Sequence, residues 1–240
     1  MRSMPGVMGG ITCAALGGAG ALMTYGVRAR SSSLFAPSVY RGPASQHAMA
    51  LTFDDGPSES TPVLLRLLAE HNVAATFFQC GANVERLPEV AREVVRGGHE
   101  IGNHSQTHPK LYFRSPSFIR EELTRAQAAI ENAAGVSPSL FRAPFGVRWP
   151  GMRAAQQSLR LMGVMWTVIG RDWKLDTKSI VRRVLPKIDN GSIVCLHDGR
   201  ELRARPDVGN TIEAVRRLIP ILKAEGYRLQ TVSQLICPTN

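Results

Sequence analysis

Two aspartates side by side at the end of an apolar run, Asp54 and Asp55, and two histidines four residues apart, His104 and His108, are the side chains of this chain best suited to chemistry. Asp and His are ligands for first-row divalent metals. An Asp-His-His set leaves coordination positions open for water and substrate, which points to catalysis rather than to a structural metal. Adjacent carboxylates are costly unless something neutralises them. A metal would take one and leave the other as a base toward water. Arg142, Asp172 and His197 add a cation, another carboxylate and another titratable ring. Spacing alone leaves other readings open. His104 and His108 at i and i+4 share the face of any helical turn, including a surface one. Asp54-Asp55-Gly56-Pro57 is equally an Asp-rich turn capping a helix near Ser60.

What would hold these groups together is the order of elements. From Ala48 onward, apolar strand-like runs (48–53, 75–79, 99–102, 139–142, 164–168, 192–197 and 227–231) alternate with helical patterns. Ile119, Leu123, Ala126 and Ile130 share one helix face, and Ile212, Val215, Ile219 and Leu222 another. Gly97-Gly98, Gly135 and Gly226 stand where helices should stop. Such alternation implies a parallel sheet covered by helices, either doubly wound or barrel-like, and the pattern does not choose between them. No G-x-G-x-x-G follows the first strand, which argues against a dinucleotide site. Asp54 and Asp55 follow the first strand, His104 and His108 the third, Arg142 ends the fourth, Asp172 follows the fifth and His197 ends the sixth. All lie at strand C-termini, the edge where parallel α/β folds gather catalytic groups.

The chain has 240 residues, 44% of them hydrophobic and 20% charged, enough for one sizeable core without staples. The net charge of +10 is spread over helical stretches such as Arg182-Arg183 and Arg216-Arg217, without the clustered basic and aromatic residues of a nucleic-acid reader. A basic solvated surface is expected, and no nucleic-acid partner. The four cysteines, Cys13, Cys80, Cys195 and Cys237, form no C-x-x-C pair. Residues 3–27 carry no charge and follow Arg2, which predicts a signal peptide or single membrane anchor. Residues 28–45, with a serine run and two prolines, read as a linker, so the folded domain is expected over 46–240.

Five segments occur in order: MALTFDDGP (49–57), GNHSQTH (102–108), FRAPFG (141–146), GRDW (170–173) and SIVCLHD (192–198). Together they resemble the polysaccharide deacetylases of the NodB-homology family, carbohydrate esterase family 4, over about residues 46–237. The resemblance implies a distorted (β/α) barrel of about seven parallel strands. It implies a hydrolase releasing acetate from an N-acetylated polysaccharide or oligosaccharide, such as peptidoglycan, a chitin-like oligomer or an exported polysaccharide. By the same resemblance Asp55, His104 and His108 hold Zn2+ or another divalent transition metal. Asp54 is the general base oriented by Arg142, and His197 is the general acid tuned by Asp172. The Phe145 N–H meets the oxyanion, and Trp173 walls the acetyl group. A monomer is expected, exported or anchored and facing the cell envelope.

Two positions depart from the family pattern: Ile169 stands where an acidic residue is frequent, and Cys195 where leucine is frequent, a change expected to alter the acetyl-methyl pocket. The same machinery suits an O-acetyl esterase on a polymer such as xylan, because the metal site does not select the leaving group. A non-catalytic carbohydrate-binding wall protein would be favoured had Asp54, a metal ligand or His197 been lost; all are present.

Overall fold

The computed structural model describes Gly18 and residues 20–237. Most of the uncharged N-terminal run therefore lies outside the described residues; residues 20–28 form a helix, α1. Among the described residues no helix is long and apolar enough to cross a membrane.

The chain then runs β1 (Ser38–Val39), β2 (Ala48–Gly56), α2 (Thr61–Glu70), β3 (Thr76–Gln79), α3 (Gly81–Arg86), α4 (Pro88–Arg96), β4 (Glu100–Asn103), α5 (Pro116–Ala134), β5 (Leu140–Phe141), α6 (Met152–Ser158), β6 (Met162–Val164), β7 (Val168–Ile169), α7 (Thr177–Val184), β8 (Ile193–His197), α8 (Gly209–Ala224), β9 (Arg228–Leu229) and α9 (Val232–Ile236). The main sheet has the order β1-β6-β5-β4-β3-β2-β8-β7, every pair parallel, and β9 pairs with the start of β2.

One short connection shows how far the sheet curls. β6 and β7 stand six positions apart in that order, about 29 Å in a flat sheet at ~4.8 Å per strand. Residues 165–167 alone join them, and four Cα steps reach at most about 14 Å. The sheet must therefore bend round until its edges approach, as a distorted barrel does. The apolar run 164–168, read as one strand, is in fact the end of β6 and the start of β7 on opposite sides of the gap. Among the described residues the main sheet has eight strands, with β9 beside the start of β2.

The linker expectation for residues 28–45 is also corrected. Ser38 and Val39 pair with Gly163 and Val164 and so cover the edge of β6. The stretch before them runs through turns and bends, and two arginines bond its carbonyls. The Arg148 guanidinium donates to the Ser32 carbonyl (2.6 Å), the Ser38 hydroxyl (2.9 Å) and the carbonyl of Ala29. Arg153 donates to the Ser33 carbonyl (2.7 Å).

The helical faces pack as their periodicity predicts. Ile119, Leu123, Ala126 and Ile130 of α5 are fully buried, as are Val215, Ile219 and Leu222 of α8; Ile212 is half-buried. Ser115 caps α5 by accepting the Phe118 N–H (3.2 Å), and Gly135 ends it in the left-handed conformation (φ 71°). β2 is buried along its whole length. Leu51 and Phe53 join the large core under α2, α4 and α8. Ala48 and Ala50 belong to a smaller cluster with Val232 and Leu235 of α9, which plugs the N-terminal end of the barrel. The C-terminal end stays open for polar groups.

His99, directly before β4, has a structural task. Its Nδ1 accepts the Ala75 N–H (3.2 Å), so the ring must be neutral in the fold, and burial pushes its pKa from 6.5 down to about 4. Between those values the unfolded chain binds a proton that the folded chain does not, so stability falls as pH drops from about 6.5 toward about 4. Thermal unfolding midpoints across that range should fall less steeply in H99Q than in the wild type; parallel profiles would refute this role.

Candidate active site

A regular strand would send neighbouring carboxylates to opposite faces of the sheet. β2 avoids this by a bulge. Asp54 pairs with Phe78 and Gly56 with Gln79, so Asp55 is the extra residue, with φ 71°. The bulge lets both carboxylates serve one cleft. Neither caps α2, which has no side-chain cap and no acidic residue in its first turn.

The histidines reach the same cleft, though not from a helical turn as their spacing suggests. Residues 104–108 form an irregular loop, with Ser105 (φ 65°) and His108 (φ 52°) both left-handed. Asn103 starts this loop by accepting the Ser105 N–H (2.9 Å). The first amides of α3 bond its carbonyls, Gly81 to Ser105 (3.0 Å) and Ala82 to Gln106 (2.9 Å). Buried Glu122 of α5 accepts both the N–H and the hydroxyl of Thr107 (2.8 and 2.9 Å). Residues with positive φ are costly unless Gly, and Asp55, Ser105, His108, Phe145, Arg171 and Glu201 all adopt it in the loops around this cleft.

The result is a converging set of donors. Asp55 Oδ1 lies 3.3 Å from His104 Nε2 and 3.1 Å from His108 Nε2. His104 Nδ1 is 2.7 Å from the Arg142 carbonyl, which can only accept, so Nδ1 carries the proton and Nε2 presents its lone pair. Asp55 Oδ2 is held by the Glu201 N–H (2.9 Å), while buried Oδ1 takes no hydrogen bond. The lone pairs of His104 Nε2 and Asp55 Oδ1 then face one another with His108 Nε2 beside them, and a cation is what relieves them. This donor set fits a divalent metal with open positions.

Asp54 sits beside this set under different control. Its Oδ1 accepts from Arg142 Nη1 at 2.6 Å, and its Oδ2 from the Cys195 thiol at 3.4 Å. Arg142 is fully buried, with its remaining donors on the Thr52 hydroxyl (2.7 Å) and on the carbonyls of Val164 and Met165 (both 3.3 Å). Its guanidinium lies over the Phe78 ring, 4.1 Å from the centroid. On the other side, His197 Nδ1 donates to Asp172 Oδ1 (2.9 Å), which leaves Nε2 free. Asp172 is itself fixed by the His197 N–H (2.9 Å) and the Thr211 hydroxyl (2.7 Å). Burial lowers the pKa of His197, but the charge and hydrogen bond of Asp172 outweigh it and raise the ring to about 9. Phe145 and Trp173 stand exposed at the rim, each edge-on to a site histidine: Phe145 to His108 (4.8 Å) and Trp173 to His197 (5.0 Å). Trp149 is half-buried against Phe113 (4.7 Å), and Trp166 packs behind Arg142.

All nine residues singled out from the sequence therefore meet at one barrel mouth. Several supports were missed. Asn83 donates to the carbonyls of Asp55 and Glu201 (both 2.8 Å). Asp198, next to His197, accepts from Thr61 (2.5 Å) and has Oδ1 unpartnered among the described residues. Burial raises it to about 7 against the Thr61 hydrogen bond, with the charge of Asp55 adding to the rise. A Cβ on Gly56 would collide with this carboxyl, so glycine is what lets the β2 turn close on the end of β8. The signal for Asp198 was present, since it ends SIVCLHD, but no partner for it could be read.

Removing one partner of a buried ion pair leaves an uncompensated charge. R142M should therefore cost about 3–5 kcal/mol of folding stability and abolish activity. Denaturant unfolding checks this, and a loss below about 1 kcal/mol, the value of a surface pair, would contradict it.

Known proteins place the chain. The family profile described as polysaccharide deacetylase matches residues 41–164. A chitooligosaccharide deacetylase from Bradyrhizobium sp. (strain ANU 289) is 37% identical over 205 residues, covering 82% of this chain and 94% of that protein. The crystal structure of the Bc1960 peptidoglycan N-acetylglucosamine deacetylase superposes with a TM-score of 0.78 at 31% identity, over 83% of this chain and 92% of that one. A CE4 family pseudoenzyme from Bacillus anthracis superposes with a TM-score of 0.75 at 31% identity, over 84% of this chain and 69% of that one. Fold alone thus does not carry activity, and the side chains at the barrel mouth must. With its curled parallel sheet and ordered motifs, the chain belongs to the polysaccharide deacetylase family.

Proposed function

We propose that this protein is a metal-dependent hydrolase that removes N-acetyl groups from an N-acetylglucosamine-containing polysaccharide or oligosaccharide, releasing acetate. The observation that carries this reading is the meeting of three groups at one mouth: the open Asp55-His104-His108 donor set, the Arg142-Asp54 pair and the Asp172-His197 pair. A base and an acid flanking a metal set are what amide hydrolysis requires. Water must lose a proton, and an amine leaves poorly without gaining one.

In this reading Asp55, His104 and His108 hold the metal, zinc or another divalent transition metal. The bound metal supplies Lewis-acid polarisation of the acetyl carbonyl and a lowered pKa for water. Asp54, held in place by Arg142, takes the proton from the attacking water. The Phe145 N–H donates to the oxygen on which charge develops. His197, protonated at neutral pH by virtue of Asp172, gives its Nε2 proton to the departing amine. Phe145 and Trp173 form the walls on which the sugar and its acetyl group rest. The uncharged run at residues 3–27 supports export or anchoring, which would bring the open mouth to an envelope polymer. The reading also takes the chain to work as a monomer.

Acetate release from N-acetylglucosamine oligomers and from peptidoglycan tests the activity. Chelation should abolish release and added zinc restore it, and D54N should lose about 10²-fold or more in kcat while still binding zinc. Activity surviving both treatments would overturn the mechanism, and release only from O-acetylated xylan would reassign the substrate to an ester. A second test uses pH. His197 loses its acid proton as pH rises through its raised pKa, so kcat/KM should fall on the alkaline side. In D172N that limb should move to lower pH; an unmoved limb would remove His197 from the acid's role.

A further inference from the structure

Cys195, buried on β8 beside Asp54, does more than fill space. On β8, residues 195 and 197 point to the same face, and the register pairs His197 with Asp54 on β2. Asp54, Cys195 and His197 each present a ligand atom, all within 4.8 Å of one another. These donors belong to residues other than Asp55, His104 and His108, and both oxygen and nitrogen donors are oriented. Arg142 engages Asp54 Oδ1, leaving Oδ2 facing the Cys195 sulfur. Asp172 engages His197 Nδ1, leaving Nε2, the carboxylate–histidine arrangement that metal-binding imidazoles use. An O,S,N set of this kind suits a thiophilic divalent cation. The Arg142 guanidinium opposes a further cation. Set against it are the carboxylates of Asp54, Asp55 and Asp172 and the thiolate that forms on binding.

We propose that Asp54, Cys195 and His197 form a second, inhibitory cation site that takes zinc in excess or cadmium. Binding displaces one proton from Cys195 Sγ and one from His197 Nε2, both to solvent, and forms metal bonds to sulfur, nitrogen and the Asp54 carboxylate. While the cation is there, the base cannot accept a proton and the acid cannot give one. Leucine at this position would remove the only soft donor, so the site is particular to chains carrying cysteine here.

The inference rests on the reading of Asp54 and His197 as base and acid, and the experiment separates the two. Metal-stripped full-length wild type, C195L and C195S are titrated with cadmium, and the near-ultraviolet cadmium–thiolate absorption is followed without substrate. The wild type should show one thiolate band more than either variant, whose other three cysteines supply the control. D55N should keep that band. Acetate release is then followed against zinc. Wild-type activity should rise and then fall, whereas in the variants the inhibitory midpoint should move up by about tenfold or more, since losing a ligand costs at least what losing an outer-shell partner does. C195S keeps the size of the thiol and stands in should C195L fail to fold. Identical bands in wild type and C195S, or coincident inhibition curves, would overturn the site. A wild-type band in a protein with no deacetylase activity would overturn the functional reading alone.

Discussion

The barrel mouth depends on one buried guanidinium. An unpaired charge in an interior is prohibitive, so Arg142 is tolerable only because the sheet supplies an acceptor for each side-chain nitrogen. Those acceptors come from β2, from the end of β6 and from the segment crossing to β7, the parts that must approach for the sheet to curl. The same residue reaches both halves of the chemistry. Its side chain holds Asp54, and its backbone carbonyl fixes the tautomer of His104. Asp54 and His104 are thereby referenced to a single point in the fold.

Around that point the chain accepts backbone cost. The bulge at Asp55 and the left-handed residues at positions 105, 108 and 145 are conformations that L side chains avoid, and they are concentrated in the loops of the mouth. Burial of β2 and the hydrogen bonds from Asn83, Glu122 and the first amides of α3 offset them. The contrast between Asp54 and Asp55 follows from this local geometry. One is paired with the buried guanidinium of Arg142, and the other faces two imidazoles across a gap suited to a metal. His197 and Asp198 differ likewise: the histidine gains a carboxylate partner, and the aspartate beside it gains mainly burial, so both titrate away from their ordinary values.

Much of this was legible in the residues, because the chemistry lies at strand ends and strands are easily read from apolar runs. The alternation of elements, the glycine stops at Gly135 and Gly226 and the shared edge of the polar residues came from local pattern alone. Choosing a barrel over an open sheet needed the ordered motifs, since periodicity is the same in both. What could not be read was set by backbone register. A bulge has no residue code, so the common direction of Asp54 and Asp55 was hidden. The spacing of His104 and His108 fits a helical turn, and only the bonds from α3 and Glu122 make it a loop. The run 164–168 is continuous in hydropathy although its two ends pair with opposite edges of the sheet. Residues 28–45 look like a linker by composition, but Arg148 and Arg153, more than a hundred residues away, bond the carbonyls of Ser32 and Ser33, and Ser38–Val39 form an edge strand.

The central claim is that Asp55, His104 and His108 hold the metal. Anomalous diffraction at the zinc edge, from crystals grown with one equivalent of zinc, measures this most directly. The account predicts a peak bounded by Asp55 Oδ1, His104 Nε2 and His108 Nε2. No peak there, or a first-equivalent peak seated elsewhere in the molecule, would contradict it.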